Sequence, residues 1–251
     1  MCTIAILIGV AEAPVVLAAN RDELYARATR PPERLGDGIA GGVDVVSGGT
    51  WLALNRIGRF VAVTNQVALA TPPPGLKSRG TVVKELAAAR DPDAYVNAID
   101  PRAYASMNLV WGDSEAVRIA YIRREAGTRD VETLPAGIHV LANDRLKAPG
   151  FPRAVRLEKQ IAAIADLAWD KLWPRLAQPL GDHSRVDLAD VPASHLPPEL
   201  ARELTATCIH SERYGTRSST LVAIDRGIAA YLHADGPPCV TPFVDRMELL
   251  A

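Results

Sequence analysis

Apolar residues occur along the chain in short blocks separated by polar and turn-forming residues, a pattern typical of β-strands. The first two blocks, CTIAILIG and PVVLAAN, are rich in β-branched and aliphatic residues and flank VAEA, which predicts a buried hairpin. VVSGGTWLAL and FVAVTNQ flank NRIGR and predict a second hairpin. TRPPERLGDGIAGG is polar and rich in Pro and Gly, so we expect it to form the connecting loop between the hairpins.

The rest of the chain alternates between helical and strand patterns. Ser78 is a candidate cap for a helix through TVVKELAAAR, and the Asp-Pro pair of DPDAYVNAI is the expected start of another helix. Further patterns follow in chain order: strands at SMNLVWGD, AVRIAYIRRE, RDVETL and GIHVLAND; helical spacing in FPRAVRLEKQIAAIADLAWDKLWPRL and PPELARELTATC; and a hairpin in RSSTLVAIDRGIAAYLHADG. Hairpins dominate without βαβ alternation, which predicts an α+β domain of antiparallel sheets spanning 1–251.

The balance of charge narrows the choice of partner. Lys and Arg total 28 and Asp and Glu total 29, so the formal net charge is −1, and no long block of one sign occurs. Such a chain lacks the basic surface expected of a nucleic-acid or membrane-surface protein. We therefore expect a small molecule or another protein as partner, whereas the sequence does not indicate an oligomeric state.

Three features predict a cytoplasmic protein. No Lys or Arg precedes the apolar start of the chain, and Glu12 and Pro14 interrupt it, which argues against a signal peptide. The same interruption leaves no run of about 18 apolar residues, so no membrane span is expected. Only three cysteines occur, with no CxxC and no Cys/His ligand spacing along the chain, which argues against a disulfide scaffold or a structural zinc site.

The register of the first hairpin bears directly on chemistry. If its turn centres between Ala11 and Glu12, residue i faces residue 23−i, and Cys2 lies opposite Arg21 in the NRDE stretch. Removal of Met1 would make Cys2 the N-terminal residue, whose own α-amine could act as the base for its thiol. The alternative is that Cys2 is simply a small buried hydrophobic residue.

Four other residues are candidates for supporting roles. Asp22 could hold the α-ammonium group, and Arg21 could lower the pKa of the thiol or bind an anionic substrate group. The alternative for both is a solvated charged turn, and because neighbours on a strand point to opposite faces, both need not reach the thiol. Asn65 and Asn143 end predicted strands, where their amides or adjacent backbone N–H groups could stabilise an oxyanion, although Asn is also a common turn residue.

Other catalytic motifs do not occur in the sequence. There is no GxSxG, phosphate-binding loop, HExxH or GxGxxG, so serine hydrolase, NTPase, zincin and dinucleotide-binding functions have no support. No two of the five histidines stand at metal-ligand spacing, although any one could be an axial ligand to haem. They are His139, His183, His195, His210 and His233.

Taken together, these segments resemble the NRDE family, whose eukaryotic members are named transport and Golgi organisation protein 2. The matching segments are MCTIAIL at the start, AANRDE at 18–23, GGTWLALNRIGRFVAVTN at 48–65, KSRG at 77–80, VLANDRL at 140–146 and YGTRSSTLVAID at 214–225. The resemblance implies the N-terminal nucleophile hydrolase fold, a four-layer αββα sandwich of two antiparallel sheets.

The resemblance also implies roles for individual residues. Cysteine enzymes of this fold, similar to penicillin V acylase and bile salt hydrolase, cleave a linear amide and need no cofactor. On this sequence Cys2 matches the nucleophile, Asp22 the carboxylate that orients the amine and Arg21 its neighbouring arginine. Asn143 matches an oxyanion amide, and the backbone after Asn65 a second donor. Arg217 in YGTRSST matches a late arginine.

A second function follows from the same resemblance. Eukaryotic relatives are discussed as intracellular haem-trafficking proteins or as proteins of lipid homeostasis that handle acyl-CoA. The alternative is therefore a non-catalytic protein that binds haem or an acylated ligand in a pocket inherited from a hydrolase.

Overall fold

The computed structural model describes residues 2–67, 73–194 and 196–251, in which two antiparallel sheets lie face to face between helices. The first sheet contains, in spatial order, β10 (Gly137–Leu141), β1 (Cys2–Ile8), β2 (Val15–Leu24), β11 (Tyr214–Ile224), β12 (Ile228–Ala234) and β13 (Val244–Asp245). The second contains β3 (Thr29–Gly36), β4 (Ile39–Asp44), β5 (Leu52–Asn55), β6 (Phe60–Asn65), β7 (Met107–Gly112), β8 (Val117–Arg123) and β9 (Thr128–Thr133).

The helices cover the outer faces of the sheets. They are α1 (Arg79–Ala88), α2 (Pro92–Asn97), α3 (Pro152–Ala162), α4 (Trp169–Leu180) and α5 (Pro198–Glu203). The first two pack on the second sheet, and α3 and α4 pack on the first. The predicted α+β, four-layer αββα architecture is confirmed. None of the helices in the described residues is long and apolar enough to cross a membrane.

The continuous apolar run of β1 follows from its position in the middle of the molecule. Ile4 and Ile6 pack between the two sheets, whereas Ala5 and Leu7 pack against α3 and α4. Because side chains alternate along a strand, a strand covered on both faces is apolar at every position. Burial of each larger side chain contributes about 1.5–3 kcal/mol, so the strand that begins at Cys2 is firmly anchored.

The predicted register of the first hairpin is confirmed. Cys2 pairs with Arg21, and the pairing continues without a shift to Ile8 opposite Val15, so the paired numbers sum to 23 throughout. β1 also pairs with β10 on its other side, and β2 pairs with β11. β1 is therefore an inner strand from Ile4 onward, whereas Cys2 pairs with β2 alone.

The prediction that TRPPERLGDGIAGG is a loop is wrong, because this segment forms the hairpin of β3 and β4. β3 is the edge strand of its sheet, and its pairing with β4 shifts around Pro31 and Pro32. Proline has no N–H to donate, but an edge strand tolerates it at such an irregularity. Gly38, with φ +61°, supplies the left-handed conformation of the tight turn.

Most other predicted elements are confirmed, with three refinements. Asp91 accepts a hydrogen bond from the N–H of Ala94 and caps α2 as expected. Ser78 precedes α1, but its side chain makes no capping hydrogen bond. The long helical pattern after Phe151 divides into α3 and α4. The fourth strand of the central group, β10, joins the first sheet rather than continuing the second.

The buried His233 predicts how stability depends on pH. Burial lowers its pKa to about 4, and Nδ1 lies 3.0 Å from the hydroxyl of Thr220. Between pH 4 and about 6.5 the unfolded chain binds a proton that the folded chain does not. We expect the neutral form of His233 to contribute about 3 kcal/mol to the free energy of unfolding. This contribution is fully present above pH 6.5 and is lost as the pH falls to 4.

Chemical denaturation of His233→Asn at several pH values checks this contribution. Asparagine keeps a partner for Thr220 but does not titrate, so the difference in unfolding free energy between the two proteins should shrink steadily below pH 6.5. Between pH 7 and pH 8 the difference should be constant, which provides the internal control. A constant difference down to pH 4 would contradict the prediction.

Candidate active site

The hairpin register places Cys2 and Arg21 side by side on the face of the first sheet that meets the second. Cys2 is half-buried, and Arg21 is 5% exposed. The Arg21 guanidinium carbon lies 4.2 Å from the ring centroid of Trp51, which directly precedes β5. Stacking of a guanidinium on an indole ring is a favourable cation–π contact, so Trp51 fixes the cation beside the thiol.

One donor of Arg21 is left for a ligand. Nη2 lies 3.8 Å from a carboxylate oxygen of Glu23, whereas Nη1 is buried without a hydrogen-bond partner among the described residues. A buried guanidinium N–H without a partner is costly, and an anionic or carbonyl oxygen would satisfy it.

Asp22 lies on the opposite face of β2, as the alternation of side chains predicts. Its Oδ1 accepts a hydrogen bond of 2.8 Å from the Thr216 hydroxyl of β11, and its Oδ2 lies 3.4 Å from Nη1 of Arg153 on α3. Asp22 and Arg153 have exposed fractions of 1% and 2%. Asp22 nevertheless reaches the edge of the cleft that contains Cys2. Both residues predicted from the NRDE stretch therefore line the cleft that contains Cys2, although their side chains leave β2 on opposite faces.

Burial controls the proton affinities of both groups. It raises the pKa of the Cys2 thiol, and the positive charge of Arg21 acts in the opposite direction. It also raises the pKa of Asp22, against the charge of Arg153 and the hydrogen bond from Thr216. Cys2 is thus a thiol that needs a base to become nucleophilic, and Asp22 depends on its cation to remain ionised.

Asn143 and Asn65 join the same network through Arg153. Nη2 of Arg153 donates to Oδ1 of Asn143 at 2.6 Å, and Nδ2 of Asn143 donates to the backbone carbonyl of Asn65 at 2.7 Å. The chain of contacts runs from Thr216 through Asp22, Arg153 and Asn143 to Asn65. Because Asn143 is buried and held at both ends of its amide, its orientation is fixed.

The role of oxyanion donor expected for the backbone after Asn65 stays a prediction, but the N–H at that position already has a partner in the sheet. The N–H of Gln66 donates to the carbonyl of Ser106, at 3.3 Å, because the pairing of β6 with β7 extends one residue beyond the strands. The side chain of Asn65 takes its place as the candidate, since Asn65 lines the cleft together with Cys2.

Arg217 lies beside this network but turns away from it. It occupies a break in register between β11 and β2, and its Nη1 donates to the backbone carbonyl of Tyr25 at 2.6 Å. It is not among the residues that line the cleft around Cys2. A catalytic role for Arg217 stays a prediction.

Two cavities, one polar and one mainly apolar, share Asn65 in their linings. The first, called here the polar cleft, has a volume of about 840 Å³. It is lined by Cys2, Arg21, Asp22 and Asn65, and by Glu23, Arg27, Asp44, Lys77 and Arg79 among others. The second, called here the apolar cavity, has a volume of about 770 Å³ and is lined by Asn65, Arg153, Phe151, Pro192, Leu196 and Leu204 among others.

The polar cleft carries an excess of positive charge. Arg27 is paired with Asp44 at 2.7 Å, which neutralises both. The remaining lining includes the cations Arg21, Lys77 and Arg79 against the carboxylates of Glu23 and Asp22. Since Asp22 is already engaged by Arg153, the open part of the cleft favours an anionic group.

A family model described as Transport and Golgi organisation 2 matches residues 1–231. This chain belongs to that family. The Transport and Golgi organization protein 2 homolog of Bos taurus is 28% identical over 235 residues, and that of Homo sapiens is 27% identical over 232 residues. Each alignment covers 84% of this chain and 82% of the relative.

Solved structures of other proteins share the fold of this family member. A variant of the Clostridium perfringens conjugated bile acid hydrolase superimposes with a TM-score of 0.58 over 98% of this chain and 93% of that one, at 10% identity. The Caenorhabditis elegans ortholog of N-acylethanolamine-hydrolyzing acid amidase gives 0.53 over 89% and 92%, at 11% identity. These matches establish the N-terminal nucleophile hydrolase fold.

Sequence reasoning missed several residues of the site. Trp51 and Arg79 stand inside segments that resemble the family, GGTWLAL and KSRG, so that resemblance was a usable signal. No signal in the sequence marked Arg153, because a single arginine in the first turn of a helix is usually solvated. Thr216 stands inside YGTRSST, which also resembles the family, but only the pairing of β11 with β2 places its hydroxyl beside Asp22.

Proposed function

We propose that this family member is a cysteine N-terminal-nucleophile hydrolase that cleaves a linear amide between an acyl chain and an anionic amine. The observation that carries this proposal is the position of Cys2 in the polar cleft beside a buried, incompletely paired Arg21. The fold agrees with it, because one structural neighbour is a conjugated bile acid hydrolase and another is an ortholog of an N-acylethanolamine-hydrolyzing amidase.

The first half of the reaction forms a thioester. With Met1 removed, the α-amine of Cys2 takes the proton of the thiol, and the thiolate attacks the amide carbonyl carbon. Negative charge develops on the carbonyl oxygen, where the side-chain amide of Asn65, which lines both cavities, can donate a hydrogen bond, and Asn143 holds the backbone of Asn65 in place. The C–N bond then breaks, the α-ammonium returns the proton to the leaving nitrogen, and an acyl-Cys2 thioester and a free amine result.

The second half regenerates the enzyme. The α-amine removes a proton from water, and the resulting hydroxide attacks the thioester carbonyl. The C–S bond breaks, the thiolate recovers its proton and the carboxylic acid leaves. No cofactor is needed for either half, since the nucleophile and the base belong to the same residue.

The two cavities suggest how the substrate lies. The apolar cavity adjoins Asn65 on one side and has the lining expected for an acyl chain. The polar cleft extends from Asn65 and Cys2 toward Arg21, Lys77 and Arg79, which suit a carboxylate or sulfonate on the leaving amine. The scissile carbonyl would lie where the cavities meet.

Amine release from matched substrates tests this proposal. Protein whose intact mass shows loss of Met1 would be incubated with N-acyl glycines and with N-acylethanolamines of the same chain length. We expect release of amine, with a higher kcat/KM for the glycine series because only its carboxylate pairs with the cations of the polar cleft. Equal kcat/KM values would contradict the role given to those cations, and no release from any amide would contradict catalysis.

A second candidate function is the binding and transport of an acylated ligand. The apolar cavity supports it, because its volume of about 770 Å³ is large enough for an acyl chain. In that case N-acyl glycines or acyl-CoA would raise Tm without being cleaved. Haem has less support, because none of the four described histidines lines the apolar cavity or the polar cleft. His195 lies outside the described residues.

A further inference from the structure

Four side chains with metal-binding atoms converge on the first sheet's side of the molecule, outside both cavities. His183 follows α4, Cys208 and His210 precede β11, and Cys239 lies between β12 and β13. Their ligand atoms all lie within 4.8 Å of one another. No such signal is visible along the chain, because His183 and Cys239 stand 25 and 31 residues from Cys208, far beyond the usual ligand spacings.

The three distances that join the two sulfurs and Nε2 of His210 match those around a tetrahedral zinc ion. The sulfurs of Cys208 and Cys239 are 3.7 Å apart, and Nε2 of His210 lies 3.6 Å from the first and 3.3 Å from the second. Zinc bonds of about 2.3 Å to sulfur and about 2.0–2.1 Å to nitrogen, at tetrahedral angles, place two sulfurs about 3.8 Å apart and a sulfur and a nitrogen about 3.5 Å apart.

His183 is oriented in the manner of a metal ligand. Its Nδ1 lies 3.1 Å from the backbone carbonyl of Cys208, so Nδ1 carries the proton and donates it. This tautomer leaves the Nε2 lone pair available to a cation, which is the arrangement that metal-binding histidines commonly show.

The backbone holds the cluster together independently of any ion. The carbonyl of Asp182 accepts hydrogen bonds from the N–H groups of Thr207, at 3.1 Å, and Cys208, at 2.9 Å. Gly181 lies so close to Cys239 that a Cβ there would come within 3.3 Å of its Cα. The ligands are therefore brought together by the fold, which lowers the entropy lost when an ion binds.

The geometry points to a zinc site formed by His183, Cys208, His210 and Cys239. Two thiolates and two neutral imidazoles suit Zn²⁺ and complete its four-coordinate shell without a water position, so the site is structural rather than catalytic. It joins three segments of the chain that are distant in sequence. Cys208 directly precedes Ile209, whose N–H donates to Thr216 at 2.9 Å, and Thr216 in turn binds Asp22. The ion therefore lies behind the carboxylate of the candidate active site.

Metal analysis of the purified full-length protein tests the inference. Protein made in zinc-supplemented medium should contain about one zinc per chain, and reconstitution with Co²⁺ should give tetrahedral d–d bands with thiolate-to-cobalt charge transfer. Removal of zinc by a chelator should lower Tm by roughly 5 °C or more, because the ion binds the folded chain in preference to the unfolded one.

Variants show whether the bound metal depends on this cluster or on the thiol of Cys2. Cys239→Ser and His210→Gln are exposed substitutions that should fold, yet both should lose zinc and the cobalt spectrum. Cys2→Ser is the matched control and should keep both. A disulfide between Cys208 and Cys239 found in non-reduced peptides from freshly purified protein would overturn the inference. Zinc content unchanged in both cluster variants would overturn it as well.

Discussion

Replacement of Cys2 by alanine is expected to abolish amide hydrolysis while leaving the fold intact. Loss of the nucleophile removes the thioester route, so kcat on an N-acyl glycine should fall by at least ~10³-fold. Cys2 is half-buried at the end of a strand, and its side chain is small, so the free energy of unfolding should change by less than about 1.5 kcal/mol. Steady-state kinetics and thermal unfolding on the same preparation measure both quantities.

Cys2→Ser is the matched variant for this experiment. A serine hydroxyl is nearly isosteric with the thiol and keeps the same α-amine, but it ionises far less readily and is a weaker nucleophile. We expect turnover between that of Cys2→Ala and that of the unchanged protein. Full turnover of Cys2→Ala would rule out the proposed mechanism, whatever the substrate.

Replacement of Arg153 by leucine is expected to be the most destabilising change at the site. Arg153 and Asp22 are both buried, and the variant removes the guanidinium that lies 3.4 Å from the Asp22 carboxylate. Breaking a buried pair in this way costs about 3–5 kcal/mol, which corresponds to a fall in Tm of about 10 °C. Since the lost cation also held Asp22 ionised, the acidic limb of the kcat/KM profile should move to higher pH.

Two further variants show whether loss of the Arg153 charge is the cause. Asp22→Asn in the Arg153→Leu background removes the buried charge and should recover part of the lost stability. Arg30→Ala breaks an exposed arginine–carboxylate pair, 2.8 Å from Glu33, and should lower the free energy of unfolding far less than Arg153→Leu does. A loss in Arg153→Leu no larger than that in Arg30→Ala would contradict the prediction.

Local patterns explain why the first hairpin could be predicted from the sequence to the residue. The position of the turn between two apolar blocks fixes the register of the neighbouring strands and is visible in the chain, whereas β1 itself is apolar on both faces and shows no alternation. The same reasoning placed Cys2 opposite Arg21 and Asp22 on the other face. It misread β3, because the prolines that normally exclude a strand are tolerated at a sheet edge.

Contacts between distant segments explain what the sequence did not show. Arg153 lies 131 residues from Asp22, and only the packing of α3 on the first sheet brings them together. The occupied N–H of Gln66 depends on how far β6 and β7 continue to pair. The clustering of Cys208 with Cys239 and two histidines likewise arises from three loops that meet at one side of the sheet.

The pairing of β2 with β11 has a consequence for the order of assembly during synthesis. β1 and β2 are neighbours in sequence and can form a hairpin as soon as they leave the ribosome, but Thr216 lies 194 residues beyond Asp22. Contacts of such long sequence separation form late in folding. The first hairpin can therefore bring Cys2 and Arg21 together early, whereas the partner of Asp22 on β11 is added only when nearly the whole polypeptide has been made.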